Sequence, residues 1–127
     1  MRIALSLALL AAPAVVAASP IEGNWRNLRG SVTVHIGSCG PTLCGRVISA
    51  SPGTERLIGT ELMSGLEPVG EGAWRGDIFV PDRNVRAQGE LHLTGLRTLE
   101  IEGCAMGGLI CKTQTWTRVG AGARRKR

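Results

Sequence analysis

Hydrophobic and polar residues alternate along most of this chain with the period of two that is typical of half-buried β-strands. The clearest stretch places Val32, Val34 and Ile36 on one face and Thr33 and His35 on the other. Turn signals rich in Gly, Pro and Asn separate further stretches of the same kind. With Trp25 on a first strand, the other predicted strands are 31–36, 43–50, 56–63, 73–80, 85–94, 98–104 and 112–119, with room for a short helical turn near 52–56. The pattern therefore predicts about eight strands and almost no helix.

Short turns at regular spacing predict an up-and-down antiparallel meander, and closing it into a barrel removes the exposed edges of an open sheet. Two signatures bracket this meander: a Gly-x-Trp at Gly23 and Trp25, and a Trp-x-Arg at Trp116 and Arg118. The pair resembles the plugged end of lipocalin-type barrels, where an Arg of the last strand covers the indole of the first. We therefore predict an all-β, lipocalin-like barrel of about eight strands in which these four residues have a structural, barrel-closing role.

Several glycines fall inside the predicted strands. A glycine there permits strong coiling and close approach of neighbouring backbones. We predict bends or bulges at Gly45, Gly59, Gly76, Gly89 and Gly103.

The first 18 residues have the features of a cleaved signal peptide. Arg2 provides a positive start, residues 3–16 are largely apolar, and Val-Ala-Ala precedes a predicted cleavage after Ala18. An uncleaved N-terminal anchor is the alternative, although the apolar run is short for a membrane-spanning helix. Because no cysteine lies near the cleavage site for lipid attachment, we predict a periplasmic or secreted protein without a transmembrane segment, with one domain at 19–119.

The excess of basic over acidic residues in this chain is concentrated at its C-terminus. The formal charge is +5 and the pI is about 9.7, but four cations occupy residues 124–127, behind a Gly-Ala-Gly-Ala linker. We predict that 120–127 is a disordered basic tail, with contact to anionic lipid or nucleic acid as its alternative. The domain itself is nearly neutral and has one Phe and no Tyr, which argues against specific nucleic-acid binding.

Four cysteines, Cys39, Cys44, Cys104 and Cys111, remain after the predicted cleavage site. An even number in a small exported domain indicates disulfides, and each neighbouring pair straddles a turn signal. Pairing within each local pair is the simplest of the three connectivities. A zinc site and a redox-active pair are alternatives, but the spacings are looser than those of zinc motifs and neither pair is Cys-x-x-Cys. We therefore predict disulfides and no metal.

Candidate chemistry is otherwise sparse. His35 and His92 lie on strands, and Glu90 shares a face with His92, but neither histidine adjoins a nucleophile motif. We predict no catalytic residue, no cofactor and no enzyme. Trp74 follows a flexible Gly-Glu-Gly turn and is the one candidate ligand-binding residue, at the mouth of the barrel; a plain core role is its alternative.

The order of the motifs resembles the bacterial DUF2147 family, whose members are exported barrel proteins of unknown function. The matching segments are Gly23-x-Trp25, Val32-x-Val34-x-Ile36-x-x-Cys39-Gly40, Leu43-Cys44-Gly45, Arg56-x-Leu-Ile-Gly59, Trp74-x-Gly76-x-Ile78-x-x-Pro81 and Gln114-Thr-Trp116-Thr-Arg118. The chain departs from the family in the Phe79-Val80 turn, where an acidic residue is usual, and in a shortened connection at 49–55. The resemblance implies a lipocalin-like barrel and adds weight to the Cys39–Cys44 pair.

Two functions of different classes remain at this stage. The barrel either binds a small apolar or amphipathic molecule, as the lipocalin-like resemblance implies, or it is filled by its own side chains and works as a protein-interaction or envelope-integrity module. The shortage of aromatic residues to fill the interior favours the first.

Overall fold

The computed structural model describes residue 4 and residues 19–120, so the predicted signal peptide and nearly all of the predicted tail lie outside the described part. The described residues form eight strands, each antiparallel to the next, and β8 pairs with β1 to close a barrel. The strands are β1 Gly23–Arg26, β2 Val32–Cys39, β3 Thr42–Ala50, β4 Glu61–Gly70, β5 Ala73–Val80, β6 Val85–Gly95, β7 Thr98–Ala105 and β8 Ile110–Val119. The predicted all-β, up-and-down barrel is confirmed.

The fourth strand differs from its prediction. Residues 55–57 form a one-turn 3₁₀ helix, and the strand begins at Glu61 rather than at 56. Gly59 has a φ of +92° and donates its N–H to the Val47 carbonyl, so the chain turns there instead of extending. The strand then continues through Pro68, which lies beside a register shift where a missing N–H is tolerated. The predicted span of 56–63 was therefore wrong at both ends.

The meander divides the connections between two ends of the barrel. One end, here called the closed end, holds residues 19–22 and the turns that follow β2, β4 and β6. The other, the open end, holds the connections 27–31, 51–60, 81–84 and 106–109. Contacts join neighbouring connections of the open end: Ser51 donates its N–H to the Ser31 carbonyl at 2.8 Å, and Arg56 lies 3.9 Å from Asp82.

The core fills the closed end of the interior and extends towards the open end along β2, β3 and β4, through Val32, Val47, Leu62 and Met63. The six most enclosed apolar side chains among the described residues have no accessible surface at all: Ile21, Trp25, Val34, Ile36, Leu91 and Leu99. A side chain that a water-sized sphere cannot touch borders neither solvent nor a cavity large enough for water. This part of the barrel is therefore packed by the protein itself.

Three interior glycines are sites of close packing. A Cβ on Gly89 would overlap Ile78 Cγ1, one on Gly76 would lie 2.6 Å from the Ser64 carbonyl oxygen, and one on Gly45 would lie 2.9 Å from Val34 Cγ1. The register shifts next to Gly45, and the β4 register shifts opposite Gly76, as predicted for bends. The register between β6 and β7 runs without interruption through Gly89 and Gly103, so no bulge lies between these strands at the two positions; a bend there stays a prediction.

Both local cysteine pairs form disulfides, Cys39–Cys44 across the β2–β3 turn and Cys104–Cys111 across the β7–β8 turn. The prediction of locally paired cysteines is confirmed.

Removing the Cys104–Cys111 bridge by a double change to alanine is expected to reduce the free energy of unfolding by about 2 kcal/mol, because an eight-residue loop is released in the unfolded chain. Urea unfolding of the variant against the oxidised parent checks this. An unchanged midpoint would show that the hairpin is held by its strand pairing alone.

Candidate functional site

The closed end is organised around Arg118. Its guanidinium lies over the Trp25 ring, 4.3 Å from the ring centre, and donates hydrogen bonds to the carbonyl oxygens of Pro20 and Glu22 at 2.8 and 3.0 Å. Its Nε donates to the Leu96 carbonyl at 2.9 Å. One side chain thus ties the N-terminal segment, the β6–β7 turn and the first strand together, and stabilises them by cation–π and hydrogen-bond contacts.

Gly23 and Trp25 fit this arrangement closely. Gly23 has a φ of +139°, and a Cβ there would lie 2.6 Å from Arg118 Nη1, so only glycine leaves room for the guanidinium. The Trp25 indole is fully buried, and its Nε1 donates to the Ile21 carbonyl at 2.8 Å. This end therefore has its polar groups satisfied and has no space for a ligand at the indole.

Trp74 and Trp116 are both buried, at 4% and 5% exposure. Trp74 pairs with Leu91 close to the β4–β5 turn, which belongs to the closed end. Its indole is part of the core cluster and does not line the open end, contrary to its expected place at a mouth. Trp116 pairs with the fully buried Leu99, and its Nε1 donates to Gln114 Oε1 at 3.0 Å.

Both histidines lie in polar contacts on the outside of the barrel. His35 Nδ1 is 2.8 Å from Asn24 Oδ1, and His92 Nε2 is 3.0 Å from Glu90 Oε1. Glu90 also accepts from Arg75 Nη2 at 2.7 Å, and this hydrogen bond, followed by that from His92, lowers the pKa of the Glu90 carboxyl. Among the hydrogen bonds of the described residues, neither histidine contacts a hydroxyl or a thiol. These contacts therefore provide no activated nucleophile.

Two groups of side chains could approach a metal ion. They are Cys39 and Cys44 with Glu61, and Cys104 and Cys111 with Glu102. In each group the two cysteines are joined in a disulfide, so neither presents the thiolate that a metal requires. As oxidised, each group has a single carboxylate left for coordination.

A shallow depression of about 280 Å³ lies on the outer wall, where β4 bulges away from β5. Its lining is polar and includes Glu67, Asp77 and Gln88. Gln88 Nε2 donates to Asp77 Oδ1 at 2.6 Å, which already engages two of these side chains with each other. The depression is a consequence of the bulge and lies outside the barrel interior.

The open end differs from the rest of the interior at one wall, formed by the inward faces of β7 and β8. Register and alternation place Gly103 and Ala105 on the face of the buried Ile101, opposite Lys112 and Gln114 on the face of Trp116. Among the described residues, a Cβ on Gly103 would meet no other group within 4 Å. Lys112 and Gln114 are exposed although they point inward, so solvent reaches this surface. We call Ile101, Gly103, Ala105, Lys112 and Gln114 the inner wall.

The sequence reasoning did not identify the inner wall. Gly103 was interpreted only as a bend, and Lys112 and Gln114 as ordinary strand residues. The available signal was the alternation itself, which places two polar residues in line with Trp116 on the face that is buried further along β8. Polar residues at inward positions of a barrel strand indicate an interior that is open to water there.

In the described part of the chain, no helix is both long enough and apolar enough to pass through a bilayer. None of the curated proteins matches the sequence. Among solved structures, the fold is similar to protein HP1028 from the human pathogen Helicobacter pylori, described as belonging to the lipocalin family. That match has a TM-score of 0.68 at 16% sequence identity and covers 87% of this chain and 92% of that one.

A redesigned beta barrel also matches, with a TM-score of 0.49 and 20% identity, over 82% of this chain and 95% of that chain. The similarity to HP1028 shows that the barrel is lipocalin-like in fold. Residues 23–118 match the DUF2147 family, described as uncharacterized proteins conserved in bacteria, and the chain therefore belongs to that family.

Proposed function

We propose that this protein is a non-catalytic binding module that takes up one small amphipathic molecule at the open end of the barrel, against the inner wall. The observation that carries the proposal is the open space over Gly103. The other interior glycines, Gly45, Gly76 and Gly89, are covered by neighbouring groups, whereas no group of the described residues covers Gly103. An uncovered backbone on an inward face leaves a surface on which another molecule can lie.

The inner wall has the two kinds of surface that an amphipathic ligand needs. Ile101 and Ala105 provide apolar contact beside Gly103. Ile78 is a further apolar residue and lies on β5, in the neighbouring β5–β6 strand pair. Lys112 and Gln114 provide an ammonium group and an amide, and the ion pairs of the described residues do not include Lys112. We infer a ligand with a short apolar body and an acidic or hydrogen-bond-accepting group. Because the closed end is packed solid, a long chain has no room to extend along the axis.

We also propose that the protein is exported and that residues 1–18 are removed, leaving the folded domain at 19–119. Two disulfides are typical of an oxidising compartment, which supports this. The backbone nitrogen of Ser19 lies 3.0 Å from Glu22 Oε2. Cleavage after Ala18 would turn this nitrogen into an ammonium group and the contact into an ion pair. N-terminal sequencing of protein recovered from a bacterial periplasm is expected to begin at Ser19.

Ligand binding can be tested with the anionic dye 1-anilinonaphthalene-8-sulfonate, which is itself a small amphipathic acid. We expect saturable binding of one dye per folded chain. Gly103→Leu should fill the open space and weaken binding by about tenfold, since a blocked pocket excludes the ring system. Native mass spectrometry of the periplasmic protein, followed by organic extraction, would then identify the natural ligand class.

The matched control is Gly95→Leu, at the closed-end terminus of β6, where a Cβ would meet only Thr98 at an ordinary contact distance of 3.8 Å. It should bind the dye like the parent. If the folded parent binds no dye, or if both variants bind like the parent, the binding proposal is overturned. The solid packing of the closed end would then favour the alternative, a filled barrel that works through its surface as an interaction or envelope-integrity module.

A further inference from the structure

The open end carries an unusual concentration of exposed apolar side chains. Of the nine large apolar residues that are exposed among the described residues, six belong to its connections or to the strand ends beside them: Leu28, Ile58, Val80, Val85, Leu109 and Ile110. Three of the four connections contribute at least one, and Val80 and Val85 are the strand ends on either side of the fourth, 81–84. Leu28 and Leu109 are 82% and 83% exposed, so the fold does not need them for its core. Surface leucines in such a ring indicate contact with another apolar phase.

The same end carries cations that form no ion pair with any other described residue. Arg29 lies in the connection 27–31, Arg83 in the connection 81–84 and Lys112 on the inner wall, and the ion pairs of the described part include none of them. The open-end connections also hold two acids. Asp82 lies 3.9 Å from Arg56, and Glu55 accepts the N–H of Gly53. With Arg56 the cations outnumber these acids by four to two, so the net charge around the apolar ring is positive.

We propose that the open end docks on the surface of a lipid bilayer that contains anionic lipid. Leu28, Ile58 and Leu109 enter the headgroup region, and Arg29, Arg83 and Lys112 lie against lipid phosphates. Apolar residues flanked by cations are the composition that binds such an interface. Four separate loop tips suit a fluid surface, which needs no matching shape, better than they suit the continuous buried patch of a protein partner.

This docking goes beyond the proposed ligand binding, because it depends mainly on the connections of the open end and the strand ends beside them, here called the rim. It also gives that binding a direction: a molecule that lies in the bilayer surface would face the inner wall directly. The two proposals share only Lys112 and are tested by substitutions of different residues, so each can fail without the other.

Co-sedimentation of the full chain with vesicles tests the docking. We expect binding to vesicles of phosphatidylcholine mixed with phosphatidylglycerol, weaker binding to phosphatidylcholine alone, and release in high salt. Changing Leu28, Ile58 and Leu109 together to serine should lower the bound fraction on the anionic vesicles by about fivefold or more. Arg29→Gln with Arg83→Gln should lower it on anionic vesicles and leave the neutral ones unaffected.

Matched controls lie at the closed end. Leu96→Ser removes a side chain that is 91% exposed, and Arg97→Gln removes a cation beside it, so both should sediment like the parent. Gly103→Leu should also sediment like the parent, because the rim is intact. Thermal unfolding of each variant confirms that it is folded.

A variant lacking residues 121–127 separates the rim from the basic tail. If that variant keeps its binding and the serine variant loses it, the rim is the docking surface. If the shortened chain loses binding while the serine variant keeps it, or if the parent does not bind anionic vesicles at all, the proposal is overturned. Binding to a protein but to no vesicle would overturn it equally and would indicate a protein partner for the rim.

Discussion

Replacing Trp25 with alanine is expected to lower the free energy of unfolding by about 3–5 kcal/mol, the largest single effect that the structure predicts. The change removes a fully buried indole, the surface under the Arg118 guanidinium and the partner of the Ile21 carbonyl. The cavity cannot collapse easily because Val34, the cross-strand partner of Trp25, is already fully buried on a paired strand. Urea unfolding followed by far-ultraviolet circular dichroism measures the loss.

Trp25→Phe is the matched control for this change. Phenylalanine keeps an aromatic face for the guanidinium but lacks the Nε1 donor, so its expected loss is about half that of the alanine variant or less. Equal losses for the two variants would show that the hydrogen bond to Ile21, and not the packed ring, holds the closed end. A loss below about 1 kcal/mol for alanine would contradict the barrel-closing role of this residue altogether.

Gly89→Ala is expected to destabilise the barrel by about 1–3 kcal/mol, although it adds a single methyl group. That methyl would overlap Ile78 Cγ1 and lie 3.2 Å from the Glu102 carbonyl oxygen, so either Ile78 must leave its place or β6 and β7 must separate. The midpoint of thermal unfolding checks the prediction.

Gly103→Ala provides the control, since Gly103 is the direct cross-strand partner of Gly89 and has open space where Gly89 has a neighbour. Its expected effect is within about 0.5 kcal/mol of the parent, or slightly stabilising because alanine restricts the unfolded chain. Equal destabilisation by both changes would mean that the inner wall is filled in solution, and it would remove the basis for a ligand site there.

Much of the fold could be predicted from the alternation of residues and from the turns. Strand positions are local properties: a period of two in a stretch such as Val32–Cys39 defines its inward face, and Gly-Pro at residues 40–41 ends it. The disulfides were predictable for the same reason, because each pair lies across one turn. The closed end could be predicted from its short Gly-x-Trp and Trp-x-Arg signatures. The boundaries at 18 and 120 stay predictions, because they fall at or beyond the limits of the described residues.

The fourth strand shows where local reasoning failed. Leu57, Ile58 and Leu62 suggest a strand by their spacing, and the predicted span is 56–63, but the strand runs from Glu61 to Gly70. Its start is set by a hydrogen bond from Gly59 to Val47 of the neighbouring strand, and its passage through Pro68 by a register shift against β5. Both are contacts between strands, which no short stretch of sequence contains.

The sequence by itself determined the approximate number of strands, their order in the meander and the residues that plug the closed end, and it favoured the local pairing of the cysteines, which the structure shows. Only the tertiary structure decided which interior positions are filled. Gly89 and Gly103 are chemically identical and are direct partners on the neighbouring strands β6 and β7, yet Ile78 covers the first and no described residue covers the second. Trp74 is a second position that only the tertiary structure decided. Its place in the core depends on the end of the barrel to which the β4–β5 turn belongs. The physical reason is that alternation assigns a residue to a face, whereas occupied space depends on the reach of side chains from other strands.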